Sequence, residues 1–320
     1  MSRPLKVQMK RLSLCLLFAY LPCLAASIRV GGIDFVDIHD LAQQYHFQQK
    51  GSVASQTITL FSQWSKLVFK EKERHCFFNN TKIYLNRPII IRGHAMYISR
   101  SDWDNNLRPI LFQKPNRLYC IVLDPGHGGR DMGCQSLREG LDEKVLTFDL
   151  AKRVQTLLLK RGYRVHLTRY NDVFVPLEDR VALAKKYNAD LFLSIHFNTV
   201  PQTYVQGIET YIVPPLNEAS SGRDTLIAAD REYSSGIAQN PWNVLFGYCL
   251  QSTLIKSLHA DDRGLKRARF KVLKEQTCPA ALIECGFFSH AGELDKIKTT
   301  AYRDQIATAI VDAIGTYQQK

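Results

Sequence analysis

The chain has 320 residues, of which 45% are apolar and 22% are charged, as in an ordinary globular protein. It contains no low-complexity tract and no internal repeat, which excludes disordered and solenoid architectures. The formal net charge of +12 suits an anionic polymer or a membrane surface. Basic residues do not interleave with aromatic ones, so we expect no nucleic-acid partner.

Residues 1–25 have the pattern of an export signal. Four basic residues within the first eleven precede an apolar run over residues 12–24, and small side chains stand before an expected cleavage site after Ala25. The run is too short for a comfortable membrane span, although an uncleaved anchoring helix is the alternative. We therefore predict an exported protein, periplasmic or secreted and not membrane-spanning. Its net charge would be near +8, because the signal carries four basic and no acidic residues.

Six cysteines follow residue 25. An even number permits disulfides in an oxidising compartment but does not fix their pairing. None has the Cys-x-x-Cys spacing of a zinc ribbon. Cys120 and Cys285 stand in apolar segments, where buried thiols are common.

Residues 28–112 predict a small β-rich domain. A short helix is expected at 38–47, and turn signals at Asn79-Asn80 and Arg92-Gly93-His94 separate short apolar segments, as in β-hairpins. This pattern resembles the small domain at the N-terminus of copper amine oxidases and on some secreted bacterial hydrolases. The resemblance implies a spacer or a wall- or partner-binding element, with a purely structural role as the alternative. Residues 113–117 predict a linker.

From residue 118 to 320 the pattern changes to alternating strands and helices, which predicts an α/β catalytic domain. We expect helices at 145–159, 177–187, 244–258 and 302–317. Strands are expected at 120–123, 163–167, 191–197, 207–213, 270–273 and 280–285.

Four polar residues of this half fall where strands end or a helix begins: His127, Glu143, His196 and Glu284. Ligands of open α/β sheets gather beyond the carboxyl ends of strands, so all four are expected on one rim. Two imidazoles and a carboxylate can hold Zn²⁺ with one position open, and a further carboxylate can move protons. The alternatives are a core histidine at His196 and an acid that favours the helix N-terminus at Glu143.

The motifs around these residues resemble the zinc-dependent N-acetylmuramoyl-L-alanine amidases of the amidase_3 type, the bacterial cell-wall amidases of cell separation. The motifs stand at residues 123–129, 143–144, 167–169, 177–180, 189–192, 194–198, 207–211, 262–266 and 284–287. The resemblance implies that His127, Glu143 and His196 bind one Zn²⁺ per chain and that Glu284 is the catalytic acid and base. It also implies a sheet of about six strands, mostly parallel or mixed, flanked by helices.

The same resemblance names peptidoglycan as the substrate and a protein activator of the cell-separation machinery as a partner. Some relatives carry an autoinhibitory helix near residues 216–241, where we expect a loop beside the substrate instead. Five further residues are expected to orient ligands, contact substrate or line the cleft: Asp124, Arg180, Asn198, Glu209 and His290.

Three other functions remain open from the sequence. A zinc peptidase could cut elsewhere in the stem peptide, because the metal site alone does not select the bond. A catalytically silent wall-binding protein would lack at least one of the four residues, and none is missing. A cysteine hydrolase would use Cys285 as its nucleophile and would resist chelators.

Overall fold

The computed structural model describes residues 26–136 and 139–320, so the predicted export signal lies outside the described residues. Up to residue 112 the elements are β1 (Ser27–Val30), β2 (Ile33–Asp37), α1 (Ile38–Gln44), β3 (Gln48–Ser52), β4 (Thr57–Phe61), β5 (Lys66–Lys70), β6 (His75–Phe78), β7 (Thr81–Tyr84), β8 (Ile90–Arg92), β9 (Ala95–Ser99), α2 (Arg100–Asp102), a π-helical turn (Trp103–Leu107) and α3 (Arg108–Phe112).

The second part of the chain alternates strands with longer helices. Its elements are β10 (Cys120–Pro125), β11 (Gln135–Ser136), β12 (Leu141–Asp142), α4 (Glu143–Lys160), β13 (Arg164–Leu167), α5 (Leu177–Lys186), β14 (Leu191–Asn198), β15 (Ile208–Ile212), a 3₁₀ turn (Ala228–Arg231), α6 (Ser235–Ala238), α7 (Asn240–Leu258), β16 (Asp262–Arg267), α8 (Lys271–Lys274), β17 (Ala280–Phe287), α9 (Ala291–Ile297) and α10 (Thr300–Gln318). Among the described residues, no helix combines the length and apolar character needed to cross a membrane.

The central sheet has eleven strands in the order β13-β10-β14-β17-β15-β16-β7-β6-β5-β4-β3. The first four are mutually parallel, and β15 runs antiparallel to β17. The strands from β7 to β3 continue as antiparallel neighbours. The other strands of the described residues form a separate four-stranded sheet, β1-β2-β9-β8, and the small β11-β12 pair.

The prediction of a sheet of about six strands is wrong, although six of the eleven strands do come from the second part of the chain. The sheet grows because β16 pairs in parallel with β7, with Leu265 opposite Ile83. This pairing covers an edge of β16 that would otherwise leave backbone groups without partners. Residues 26–112 therefore extend the central sheet, and the boundaries of a separate domain at 28–112 stay a prediction.

The predicted strand at 270–273 is also wrong, because those residues begin the short helix α8. The amide nitrogens of Leu273 and Lys274 both donate to the carbonyl oxygen of Phe270, which closes a helical turn. Val272 and Leu273 are buried by it. The strand that the sequence analysis lacked is β16, which lies a few residues earlier.

The two faces of the sheet carry different helices. Along β14, alternate side chains such as Leu193 and Ile195 belong to the main core, which α4 and α7 cover. The intervening Phe192 belongs to a smaller core that includes Val272 of α8. Side chains of a strand alternate between faces, so His196 lies on the face of Phe192. That face carries the candidate site.

Helix α4 shows why the spacing of apolar residues predicted the helices. Leu146, Leu150, Val154 and Leu158 recur at four-residue spacing and are buried, as expected for one apolar stripe on the sheet. The helix ends just before Gly162, whose φ of 87° is a left-handed value that favours glycine after a helix.

Candidate metal centre

Three of the four predicted residues form one cluster on the rim of the sheet. Ligand atoms of His127, Glu143 and His196 all lie within 4.8 Å of one another. His127 follows β10, Glu143 is the first residue of α4, and His196 lies near the end of β14. The connections after β10 and β14 and the start of α4 meet at the same edge because these elements pack side by side.

The Glu143 carboxylate is the centre of this cluster. Its Oε2 lies 3.0 Å from His127 Nε2, and its Oε1 lies 3.0 Å from His196 Nδ1. The backbone amides of Cys134 and Phe197 donate to the same two oxygens at 2.8 and 3.0 Å. Burial opposes ionisation, but these partners hold the pKa of Glu143 far below its ordinary value. Glu143 is therefore a fixed anion between two imidazoles.

His127 is oriented by a carboxylate that the sequence analysis did not identify. Asp131 Oδ1 lies 2.9 Å from His127 Nδ1, which leaves Nε2 directed at Glu143. A carboxylate on the far nitrogen of a metal-binding histidine fixes its tautomer and ring plane. The signal for Asp131 was present as an acid four residues after the histidine. Burial lowers the pKa of His127, but Glu143 and Asp131 outweigh that effect and raise it.

The backbone at the site is shaped for close approach. His127 has φ of 64°, a left-handed value that is uncommon outside glycine and often marks functional positions. A Cβ on Gly126 would overlap the ring of His196. Glycine at 126 is therefore required for the two imidazoles to approach, as the glycine-rich motif suggested.

Asp124 and Arg180 form a buried ion pair that supports the loop carrying His127. Arg180 Nη1 donates to Asp124 Oδ1 at 2.7 Å, and Arg180 Nη2 donates to the His127 carbonyl oxygen at 2.8 Å. Thr168 and Ser194 hydroxyls donate to the Asp124 oxygens at 2.6 and 2.7 Å. Asp124 and Arg180 are 1% and 2% exposed. Asp124 thus holds the Arg180 guanidinium rather than an imidazole, and Arg180 in turn holds the backbone at His127, which is a structural role rather than a substrate contact.

Glu284 is the fourth predicted residue and lies beside the cluster. It is the register partner of His196 across β14 and β17, so both side chains are on one face. Its Oε2 is buried and has no hydrogen-bond partner among the described residues. Burial, followed by repulsion from Glu143 and Glu209, raises the pKa of Glu284 well above its ordinary value. A buried carboxyl group with such an oxygen beside the cluster can accept and return a proton.

Glu209 lies one strand further along, opposite Glu284. Its Oε2 accepts from Arg263 Nε at 2.9 Å and Lys266 Nζ at 2.5 Å. Its Oε1 accepts from Asn198 Nδ2 at 2.7 Å and from the Tyr211 hydroxyl at 2.7 Å. Asn198 therefore orients Glu209, which is not one of the three candidate donors, rather than orienting a ligand as expected.

Two other candidates, His290 and Cys285, have surroundings that indicate structural roles. The Nδ1 of His290 accepts from the Glu293 amide at 3.1 Å and caps α9. Cys285 is buried, and burial raises the pKa of its thiol well above the ordinary value, whereas a nucleophilic cysteine needs a lowered pKa. All six cysteines of the described residues are free thiols.

Residues 216–241 make their polar contacts with other parts of the chain than the three clustered residues. Arg269 donates to the carbonyl oxygens of Pro215 and Glu218, and Arg74 forms an ion pair with Asp224. Within this fully described segment, no hydrogen bond or ion pair reaches His127, Glu143 or His196. Between residues 224 and 233 the helical structure is the 3₁₀ turn Ala228–Arg231.

The residues present fit a divalent metal. Two imidazoles and one carboxylate are the donor set of catalytic zinc sites, with bonds of about 2 Å. The two imidazole–carboxylate contacts of 3.0 Å and the 4.8 Å limit on the donor separations allow one ion to be bound with small side-chain movements. The second carboxyl group, Glu284, lies outside this donor set.

A mixed α/β sheet with such a donor set and a nearby carboxyl group has the features of a hydrolase with a candidate divalent-metal site. The model of the Amidase_3 family, N-acetylmuramoyl-L-alanine amidase, matches residues 121–316. The chain belongs to this family, and the match covers the candidate site.

Individual relatives agree with the family match. N-acetylmuramoyl-L-alanine amidase LytC of Bacillus subtilis (strain 168) is 36% identical over 197 residues, which cover 62% of this chain and 35% of LytC. N-acetylmuramoyl-L-alanine amidase AmiA of Salmonella typhimurium is 32% identical over 220 residues, which cover 62% of this chain and 75% of AmiA. The match therefore spans about a third of the length of one relative and three quarters of the other.

Solved structures give the same fold. The crystal structure of N-acetylmuramoyl-L-alanine amidase from Clostridium difficile 630 superposes with a TM-score of 0.53 and 32% sequence identity. The superposition covers 64% of this chain and 99% of that chain. The family match and the shared fold thus agree on the N-acetylmuramoyl-L-alanine amidase family as the class of this chain.

Proposed function

We propose that this protein hydrolyses the amide between N-acetylmuramic acid and L-alanine of the peptidoglycan stem peptide. The proposal rests on one observation: His127, Glu143 and His196 share one cluster, and the Glu284 carboxyl group lies beside it with a partnerless oxygen. Membership of the Amidase_3 family indicates which bond such a site would cleave.

We propose that His127, Glu143 and His196 hold one Zn²⁺. When bound, the ion would lower the pKa of a water toward about 7 and polarise a carbonyl group. Asp131 holds the ring of His127, and the amides of Cys134 and Phe197 hold Glu143. These contacts keep the three donors in place before any ligand arrives, which reduces the cost of assembling the site.

Glu284 is proposed as the general base and then the general acid. Its buried Oε2 would accept a proton from the attacking water and would deliver it to the leaving amine nitrogen. Its raised pKa favours the first transfer, because a more basic carboxylate accepts a proton more readily. His196 and Glu284 stand side by side on adjacent strands. This placement supports a role in metal binding for His196 and a role in proton transfer for Glu284.

Export to the periplasm or the exterior, a role in cell separation and a protein activator belong to the same proposal. They are supported by the predicted signal and by a relative from Staphylococcus epidermidis that is named a probable cell wall amidase, LytH. Residues 28–112 are proposed as a structural extension of the catalytic sheet, which the β7–β16 pairing supports.

The test is a mass-spectrometric analysis of purified peptidoglycan after digestion. We expect free stem peptides that begin with L-alanine, and glycan strands that lack peptides. Fragments cut between two stem residues would show a zinc peptidase instead. Absence of any product in the presence of zinc would support the silent wall-binding alternative.

A further inference from the structure

A row of neighbouring residues leads from the metal cluster to a pair of cations. His196, Glu284, Glu209 and Gly264 are successive register partners across β14, β17, β15 and β16. Arg263 and Lys266 lie on β16 around Gly264. The face of the sheet that carries the candidate site therefore continues into a basic region.

In this region two cationic side chains share one carboxylate oxygen. Arg263 and Lys266 both bind the single carboxylate oxygen Oε2 of Glu209. Lys266 has three N–H donors, and Glu209 is its one hydrogen-bond partner in the described part of the chain. The side chains of Arg263 and Lys266 are 31% and 12% exposed. Two cations that share one anion, and that are reachable from solvent, can accept a second anion.

Aromatic rings hold the two cations in place, and one of them comes from the N-terminal part of the chain. Lys266 Nζ lies 5.5 Å from the ring centre of Tyr84 and 5.7 Å from that of Tyr211. The Arg263 guanidinium lies 4.9 Å from the ring centre of Phe287. Cation–π contacts of this kind orient a cation without neutralising its charge.

Tyr84 reaches this position because position 264 is glycine. A Cβ at Gly264 would stand 3.0 Å from the Tyr84 ring, closer than carbon atoms normally approach. Tyr84 ends β7, which pairs with β16. Residues before 112, which lie outside the family match, thus contribute a wall to this region of the catalytic face.

The cations are close to the proposed reaction centre. Lys266 Nζ and Asn198 Nδ2 bind opposite oxygens of the Glu209 carboxylate, so they lie at most about 7 Å apart. Asn198 stands two residues after His196 on the same strand. His196 and Glu209 are register partners of Glu284 on either side, so they stand two strand spacings apart, about 10 Å. An extended dipeptide of about 7 Å and the long side chain of Lys266 can together span this separation.

We propose that Lys266 and Arg263, with Tyr84 as a wall, bind the free α-carboxylate of the stem-peptide residue that follows L-alanine. This inference rests on the proposed function and names a subsite for the leaving peptide. The amino sugars of the glycan carry no charge, whereas the stem peptide carries free carboxylates. A cationic subsite therefore fits the peptide side of the scissile amide and not the glycan side.

The test compares two muramoyl tetrapeptides that differ only in this group. One carries the free α-carboxylate on the residue after L-alanine, and the other carries its carboxamide. For the unaltered protein we expect kcat/KM at least about tenfold higher with the carboxylate, as a charge-assisted hydrogen bond implies. Equal kcat/KM for both substrates would overturn the subsite alone. Cleavage of neither substrate would overturn the proposed function and the subsite together.

Variants then assign the preference to residues. Lys266→Met should lower kcat/KM about tenfold for the carboxylate substrate and leave the carboxamide substrate within about twofold. Tyr84→Leu should reduce the carboxylate preference several-fold by loosening the ammonium. An equal loss on both substrates in Lys266→Met would show a structural role and would overturn the proposal.

Lys186→Met is the matched control. Its ammonium also lies near a tyrosine ring, 6.0 Å from the centre of Tyr187, but it stands at the end of α5. This variant should keep the carboxylate preference of the unaltered protein. Because the substrate comparison in the unaltered protein needs no substitution, the proposal can be overturned even if Lys266→Met fails to fold.

Discussion

Arg180 donates a hydrogen bond of 2.8 Å to the carbonyl oxygen of His127 and so connects α5 to the loop that carries the first candidate metal ligand. The same guanidinium is paired with the buried carboxylate of Asp124. A left-handed backbone conformation at His127 costs about 1–3 kcal/mol, and this buried ion pair is placed to hold it. The position of the imidazole thus depends on a residue 53 positions further along the chain.

Replacement of Arg180 tests this dependence. Arg180→Met leaves the Asp124 carboxylate buried without its cation, so we expect the free energy of unfolding to fall by about 3–5 kcal/mol. Denaturant titration measures the change. The control is Arg161→Met, whose ion pair with Asp312 is half exposed and should contribute less than about 1 kcal/mol. Equal losses in the two variants would contradict the structural role of Arg180.

The pH dependence of stability tests the charge on Asp124. Burial opposes ionisation, yet Arg180, Thr168 and Ser194 hold the pKa of Asp124 below its ordinary value. An acid with a lowered pKa in the folded state stabilises the protein above its unfolded pKa of about 3.9, and that contribution is lost as the pH falls through the folded pKa.

Asp124→Asn should therefore differ from the unaltered protein by a constant free energy of unfolding between about pH 5 and pH 8. Below about pH 4 the difference should shrink. The measurement is a denaturant titration at each pH in the presence of chelator, so that metal binding does not contribute. A difference that grows on acidification would show that Asp124 is not ionised in the folded protein.

Glu284→Gln separates metal binding from proton transfer. Glutamine keeps the size of the side chain but cannot accept and return the proton, so we expect kcat to fall at least about 100-fold. Zinc content should not change, since Glu284 lies outside the cluster of donors. Glu178→Gln, an exposed acid on α5, is the control and should keep its activity. Near-normal turnover of Glu284→Gln would remove Glu284 from the mechanism.

The joined sheet predicts that both parts of the chain unfold together. Arg267 provides a contact between the two parts in addition to the β7–β16 pairing. It is buried, and its guanidinium donates hydrogen bonds to Asn106, in the N-terminal part of the chain, and to Asn240 on α7. Calorimetry should show one transition for the unaltered protein, with equal calorimetric and van't Hoff enthalpies. Two separate transitions would show that residues 26–112 form an independent domain.

Replacement of Arg267 is the second part of this test. Arg267→Met should lower the transition temperature, because it leaves buried amide and carbonyl oxygens unpaired at about 1–3 kcal/mol each. Arg161→Met again serves as the exposed control. An unchanged transition temperature in Arg267→Met would contradict a buried polar contact between the two parts.

Local features of the sequence predicted much of this fold. The hairpin at Asn79-Asn80 and the stripe of α4 depend on turn chemistry and on side-chain spacing within a few residues, and both are confirmed. The family motifs placed His127, Glu143 and His196, which the structure brings together.

Long-range pairing could not be predicted in the same way. The eleven-stranded sheet depends on the contact of Leu265 with Ile83, which are far apart in the chain, and neither segment carries a signal for the other. The basic pair at Arg263 and Lys266 gained a role only when the register placed it beside Glu209. Asp131 was overlooked although it stands four residues from His127, because one acid in a loop is a weak signal without coordinates.

The most direct test of the central claim is the zinc content of the purified protein, measured by elemental analysis alongside its amidase activity. We predict one Zn²⁺ per chain, loss of activity in proportion to the metal removed by chelator, and recovery on adding zinc. His196→Ala should abolish both the bound zinc and the activity. A fully active protein without bound metal would contradict the account.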